Sequence, residues 1–171
     1  KLVGTGAVGS AAQGRFVSLS ADGSTVMVGG YGDNSNAGAA WVYIRSGSTW
    51  TQQGSKLVGT GAVGAAQQGC SVSLSADGNT AMVGGPNDNS NIGAVWIYTR
   101  SGGTWTQQGS DIDGEAANDQ SGYSVAMSAG GTTVAIGAPA NSDNGSNAGQ
   151  VRVYTASGST WTQRGGDIDG E

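Results

Sequence analysis

The most regular pattern of apolar and polar positions lies between Ser71 and Gln108. Ser71–Ser75 (SVSLS) alternates small polar and apolar residues, the period of a strand with one face covered. Ala76-Asp77-Gly78-Asn79 follows, and Asp-Gly between two apolar runs marks a hairpin because its turn requires positive φ. Thr80–Val83 (TAMV) predicts a second strand. Ala94–Thr99 (AVWIYT), dense in β-branched and aromatic residues, predicts a third. Residues 84–93 between them (GGPNDNSNIG) hold Asn-rich turns and a proline, which bars a strand interior. A tight turn at Arg100–Gly103 leads to a fourth strand, Thr104–Gln108 (TWTQQ).

Nearly the same text stands 55 residues earlier, from Gln13 to Ser55, and a looser copy runs from Ser121 to Gly166. The chain therefore divides into units at 1–55, 56–110 and 111–166, with residues 167–171 repeating the opening of the third unit. The first two units differ at 13 of 55 aligned positions, so they must share one structure. The third opens Asp111-Ile112-Asp113-Gly114-Glu115 where the others read Lys-Leu-Val-Gly-Thr, and its Asn-rich loop is longer. Repeated four-stranded meanders predict an all-β chain of β-propeller blades: three four-stranded antiparallel sheets, an incomplete propeller on their own. The 33 glycines among 171 residues suit turns and disfavour helix.

Three large apolar positions that explain packing repeat in every unit: Val17, Val72 and Val125 in the first strand, Tyr43, Tyr98 and Tyr154 in the third, and Trp50, Trp105 and Trp161 in the fourth. They are expected to pack between blades, each of these tryptophans against the next blade. A second tryptophan, Trp41 and Trp96, becomes Arg152 in the third unit. That exchange predicts a partly exposed face and makes Trp41 and Trp96 candidate ligand contacts.

Acidic residues outnumber basic ones 12 to 7, and charged residues are only 11% of the chain. Without clustered Lys and Arg there is no nucleic-acid footprint. No apolar run approaches the roughly 20 residues that span a bilayer, so no membrane insertion is expected. No signal peptide is visible, and a chain opening at Lys1 is expected to be a mature or excised portion of something larger. The one cysteine, Cys70, aligns with Arg15 and Tyr123, which predicts a loosely packed position, and it cannot form a disulfide within the chain. With no histidine to activate it, it is not expected to be a nucleophile. There is no Gly-x-Ser-x-Gly elbow, phosphate loop or Cys-x-x-Cys, and the acidic residues recur with the repeat instead of forming one unique pair. No catalysis is expected.

The run Ser121-Gly122-Tyr123-Ser124-Val125-Ala126, then Val134-Ala135-Ile136-Gly137-Ala138-Pro139, then Gly149-Gln150-Val151-Arg152-Val153-Tyr154, resembles an FG-GAP repeat. Such repeats build the seven-bladed propeller of integrin α subunits and occur in many bacterial and algal surface proteins. The Gly-Ala-Pro is intact in the third unit only; the second has Gly84-Gly85-Pro86 and the first Gly29-Gly30-Tyr31. The family's Phe is Gln13, Gln68 and Ser121. The resemblance implies a propeller and an extracellular or cell-surface setting, and implies no activity by itself. Many integrin-type repeats carry an Asp-rich calcium loop between the first two strands. Here that place holds Ala21-Asp22-Gly23-Ser24, Ala76-Asp77-Gly78-Asn79 and Ala129-Gly130-Gly131-Thr132. One carboxylate or none cannot supply calcium's shell, so that site is not carried over.

Two other places hold oxygen ligands. Asp33, Asn34 and Asn36, then Asp88, Asn89 and Asn91, then Asp143, Asn144 and Asn147 lie between the second and third strands. Asx turns are the structural expectation there, and cation or glycan contact the functional one. Asp111, Asp113 and Glu115 are spaced i, i+2, i+4 and share a face if extended, either as an exposed acidic stretch or as a calcium site. No other cofactor is expected. The sequence thus points to an extracellular structural or adhesion module acting by protein–protein or cell-surface contact. The alternative is a lectin-like propeller that binds glycans through the Asn-rich loops. Three blades do not close a ring, since propellers use about four to eight. Further copies of the repeat, in the same or another chain, are the expected partners, completing a ring or extending a filament.

Overall fold

The computed structural model describes residues 1–143 and 145–170. The first blade is a meander of β1 (Val17–Leu19), β2 (Thr25–Gly30), β3 (Ala39–Ser46) and β4 (Thr49–Gln52). The second is β5 (Ser71–Leu74), β6 (Thr80–Gly85), β7 (Ala94–Ser101) and β8 (Thr104–Gln107), followed by a two-residue strand β9 (Ile112–Asp113). The third is β10 (Ser124–Met127), β11 (Thr133–Ala138), β12 (Gln150–Ser157) and β13 (Thr160–Gln163), followed by β14 (Ile168–Asp169). All pairings within the sheets are antiparallel, and the Asp-Gly turns have the expected positive φ, 65° at Gly23 and 66° at Gly78.

β9 is the opening of the third unit, yet it pairs with β7 of the second blade (Ala94 with Asp113, Val95 with Ile112). β14 repeats this on β12, and Leu57 exchanges two hydrogen bonds with Ala40 in the first blade. The opening residues of each later unit thus pair with the blade before, as a single bridge on the first blade and as a short fifth strand on the second and third. Neighbouring blades are further joined by a chain of hairpin hydrogen bonds, Ala21 N–H to the Ala76 carbonyl and Ala76 N–H to the Ala129 carbonyl, both 2.9 Å. The backbones approach closely where Gly29 faces the Gly69 carbonyl and Gly84 faces that of Gly122; a Cβ at either glycine would collide with the next unit's main chain.

Apolar side chains fill the space between blades. Met27, Ala40 and Val42 of the first blade meet Leu74, Ala81, Val83, Trp96 and Tyr98 of the second. Met82, Val95 and Ile97 of the second meet Val134, Ile136 and Tyr154 of the third. The outer face of the first blade is partly covered by its own leading segment, where Ala11 joins Trp41 and Tyr43.

Both tryptophan expectations need correction. Trp41 and Trp96 are 0% exposed and are the largest buried side chains. Each indole N–H donates to a leading-segment carbonyl, Trp41 to Thr5 at 2.9 Å and Trp96 to Thr60 at 2.8 Å. Each ring lies against two glycines, Gly4 and Gly30 or Gly59 and Gly85, where a Cβ would clash with it. Arg152 in the third blade is buried as well, its Nη2 donating to the Asp113 carbonyl and to Ser121 Oγ. The exchange of Trp for Arg therefore swaps a buried apolar plug for a buried hydrogen-bonded one. Trp50, Trp105 and Trp161 are only half-buried, and Trp105 and Trp161 pack toward the preceding blade, not the next. Trp105 Nε1 donates to Gln53 at the end of the first blade, with the Arg100 guanidinium 5.4 Å from its ring. We expect Trp96→Ala to cost roughly 3–5 kcal/mol, the range for a buried large aromatic, and Trp105→Ala distinctly less. Denaturant unfolding midpoints of the two variants check this order.

Candidate functional site

The Asn-rich loops turn out to be junction elements. Asn34, Ser35 and Asn36 all have positive φ (47°, 57° and 69°), as do Asn89, Ser90 and Asn91, so each loop makes one turn of left-handed backbone, which Asn tolerates best among non-glycine residues. The turn places Asp33, 0% exposed, under the leading segment of its own unit. Asp33 Oδ1 accepts from Val8 N–H at 2.7 Å, and Asn34 N–H returns a bond to the Val8 carbonyl. The second unit repeats this with Asp88, Val63 and Asn89. The Asn36 and Asn91 carbonyls accept from Gln67 and Gln120 of the following unit, each at 2.9 Å. These aspartates bond backbone 25 residues away, so they are not the local Asx turns that the sequence suggested.

What faces the other carboxylate oxygen differs between junctions. Asp33 Oδ2 pairs with the ammonium of Lys56, the first residue of the next unit. At the next junction the first residue is Asp111. Asp88, Asp111 and Asp113 each bring an oxygen to one spot, all within 4.8 Å of one another. Burial raises the Asp88 carboxyl above its ordinary range, and the charges of Asp111 and Asp113 add to this against the Val63 N–H. Asp113 is raised too, first by burial and then by Asp111, with Arg152 opposing.

Of the acidic trio read from the sequence, Glu115 does not join this spot. It lies 3.6 Å from the Arg152 guanidinium and accepts from Gln150 Nε2. In the third unit Asp143 is exposed and accepts from Asn141 and Gln150, while Asn147 N–H donates to Ser142. Asn144 lies outside the described residues. The anchoring role passes to Asp119, 4% exposed, which accepts from Ala116 N–H and from Asn141. Sequence reasoning missed Asp88 as the partner of Asp111 and Asp113. The signal was present in the exchange of Lys for Asp at a unit's first residue while the loop aspartate is kept. Trp41 and Trp96 are buried, so neither offers its face to a sugar at the Asn-rich loops.

The hairpin aspartates are also committed internally. Asp22 accepts from the Ser20 hydroxyl at 2.6 Å, from Ser24 N–H and from the Ser24 hydroxyl. These bonds, that of Ser20 foremost, lower its carboxyl from 3.8 to about 2. A depressed folded-state pKa contributes stability that is present above 3.8 and lost as pH falls toward about 2. The difference in unfolding midpoint between the parent chain and Asp22→Ala is therefore expected to be largest near neutral pH and to shrink toward about pH 2. A pH series of thermal melts reads this. At the first junction, Lys56→Met is expected to cost about 3 kcal/mol, because it strands the buried Asp33 charge, and the added change Asp33→Asn to recover part of that. Denaturant titration of the single and double variants is the check.

Residues 105–154 match the FG-GAP repeat family. A search of curated proteins finds no match. Among solved structures, hydrazine synthase from Kuenenia stuttgartiensis superposes with a TM-score of 0.55 at 13% identity, over 95% of this chain and 37% of that one. A GH74 enzyme from Niastella koreensis gives 0.49 at 21% identity, over 94% and 18%. TolB from Acinetobacter baumannii gives 0.47 at 14% identity, over 86% and 31%. The chain spans little more than a third of the length of the first of these and less of the others. The likeness to the first concerns fold alone. Sequence and structure together show a chain of three propeller-type blades whose residues 105–154 match the FG-GAP repeat.

Proposed function

We propose that this chain is a non-enzymatic structural and adhesion module of the cell exterior, acting by contact between blade faces. Its partner is a further blade of the same kind, in the same or another chain. The observation that carries this reading is that faces buried at the internal junctions are bare at the outer ones. Val72 and Leu74 pack against the first blade, with Leu74 8% exposed, whereas their counterparts Val17 and Leu19 are 61% and 56% exposed. Ala40 and Val95 are 0% exposed, whereas their counterpart Val151 is 38% exposed and the neighbouring Ile168 60%. Sheet faces of this kind, with their rim of polar groups, mark association surfaces.

The FG-GAP match supports the extracellular setting, as does a composition only 11% charged and dominated by small and amide residues. Among the described residues no helix is long and apolar enough to cross a membrane. The non-enzymatic reading rests on the loop carboxylates Asp33 and Asp88 being tied into the backbone. Light scattering on the 171-residue chain tests the proposal. A mass that rises with concentration, and falls back to that of one chain in Leu19→Asp and Val151→Asp, is expected. A single-chain mass at every concentration overturns it.

A further inference from the structure

The geometry points to a divalent-cation site between the second and third units, formed by Asp88, Asp111 and Asp113. Its ligand is a hard oxygen-seeking ion, calcium by its dimensions. Two observations meet here. The first is the neighbouring junction, which holds a cation at the same place. Asp33 and Asp88 are repeat-equivalent, sit on equivalent left-handed turns and accept one backbone N–H each, from Val8 and Val63. On Asp33 the second oxygen carries the Lys56 ammonium. The residue equivalent to Lys56 is Asp111, so the second junction keeps the buried acceptor and removes the cation that neutralised it.

The second observation is that Asp88 itself is 2% exposed, and among the described residues no donor reaches its Oδ2. Instead of a donor, Asp88 has two carboxylates for company, since one oxygen each of Asp88, Asp111 and Asp113 lie within 4.8 Å of one another. Calcium binds oxygens at about 2.3–2.6 Å, so two ligands on opposite sides of one ion are up to about 5 Å apart, and all three carboxylates fit one shell. Two such charges beside a buried carboxylate repel it and each other unless something neutralises them. The Arg152 guanidinium offsets only part of the Asp113 charge. Arg152 donates to the Asp113 backbone carbonyl and to Ser121, and its ion pair is with Glu115. β9 holds Asp113 in register opposite Ala94, so the strand that joins the two units also delivers the ligands. An ion there would fasten the third unit to the second, as Lys56 fastens the second to the first. It is a different place from the hairpin turns, where Asp22 and Asp77 are satisfied by serine hydroxyls.

The probe is calcium chloride alone, added to the metal-stripped chain. Melting temperature is expected to rise by several degrees, saturating with a midpoint between about 0.1 and 1 mM, the range of extracellular calcium modules. Asp113→Asn should weaken the response at least tenfold. Asp111→Lys supplies an ammonium where Lys56 supplies one, so it should raise the melting temperature of the metal-free chain while abolishing the calcium response. Because that variant is expected to fold better than the parent, loss of response cannot be put down to unfolding. No calcium-dependent shift up to about 10 mM, ten times the top of that range, or a shift that persists undiminished in Asp111→Lys, overturns the proposal.

Discussion

The structure depends on one arrangement: each unit after the first begins by lying on the blade before it. Leu57 on Ala40, Ile112 on Val95 and Ile168 on Val151 are short antiparallel contacts, yet they set where every following strand starts. From there the chain crosses over. Thr5 and Thr60 accept the indole N–H of the buried tryptophans in their own blades, and Val8 and Val63 close on the loop aspartates. A junction is therefore covalent, hydrogen-bonded and apolar at once, and no blade forms its full set of contacts from its own unit. Such nearest-neighbour coupling is how repeat proteins obtain stability from units too thin to have a core of their own.

The charge at a unit's first residue is the variable part of this arrangement. The buried loop aspartate is the same in the first two units, while the group that answers it is Lys56 in one case and Asp111 in the other. A small change in sequence thus alters the chemistry of a junction without altering its backbone, since β9 occupies the place that Leu57 occupies.

Much of the fold was legible. Alternation in SVSLS, the Asp-Gly turn and the β-branched run AVWIYT each report local geometry, and the meander follows from their order. β9 was not legible, because two residues cannot display a period. The burial of Trp41 and Trp96 was misread from the arginine in the third unit, although a second exchange pointed the other way. Where the tryptophan stands, the second strand ends Gly-Gly, at Gly30 and Gly85, leaving room for the ring; where Arg152 stands, it ends Gly137-Ala138. The meeting of Asp88 with Asp111 and Asp113 was hidden for another reason. They belong to different units, and only the placement of β9 on β7 brings them together.

The two sides of a blade are unlike. One presents Met82, Val95 and Ile97, the other Trp96, Tyr98 and Trp105. Contact is always between one kind and the other, so the interface is heterologous and has no two-fold axis of its own. Any assembly made through these faces therefore has a direction, with distinguishable ends, and grows by adding units in one orientation only. Whether it stops is decided by the small rotation between successive sheets: if that angle divides a full turn the array meets its own beginning, and if it does not, the array winds past it as a helix.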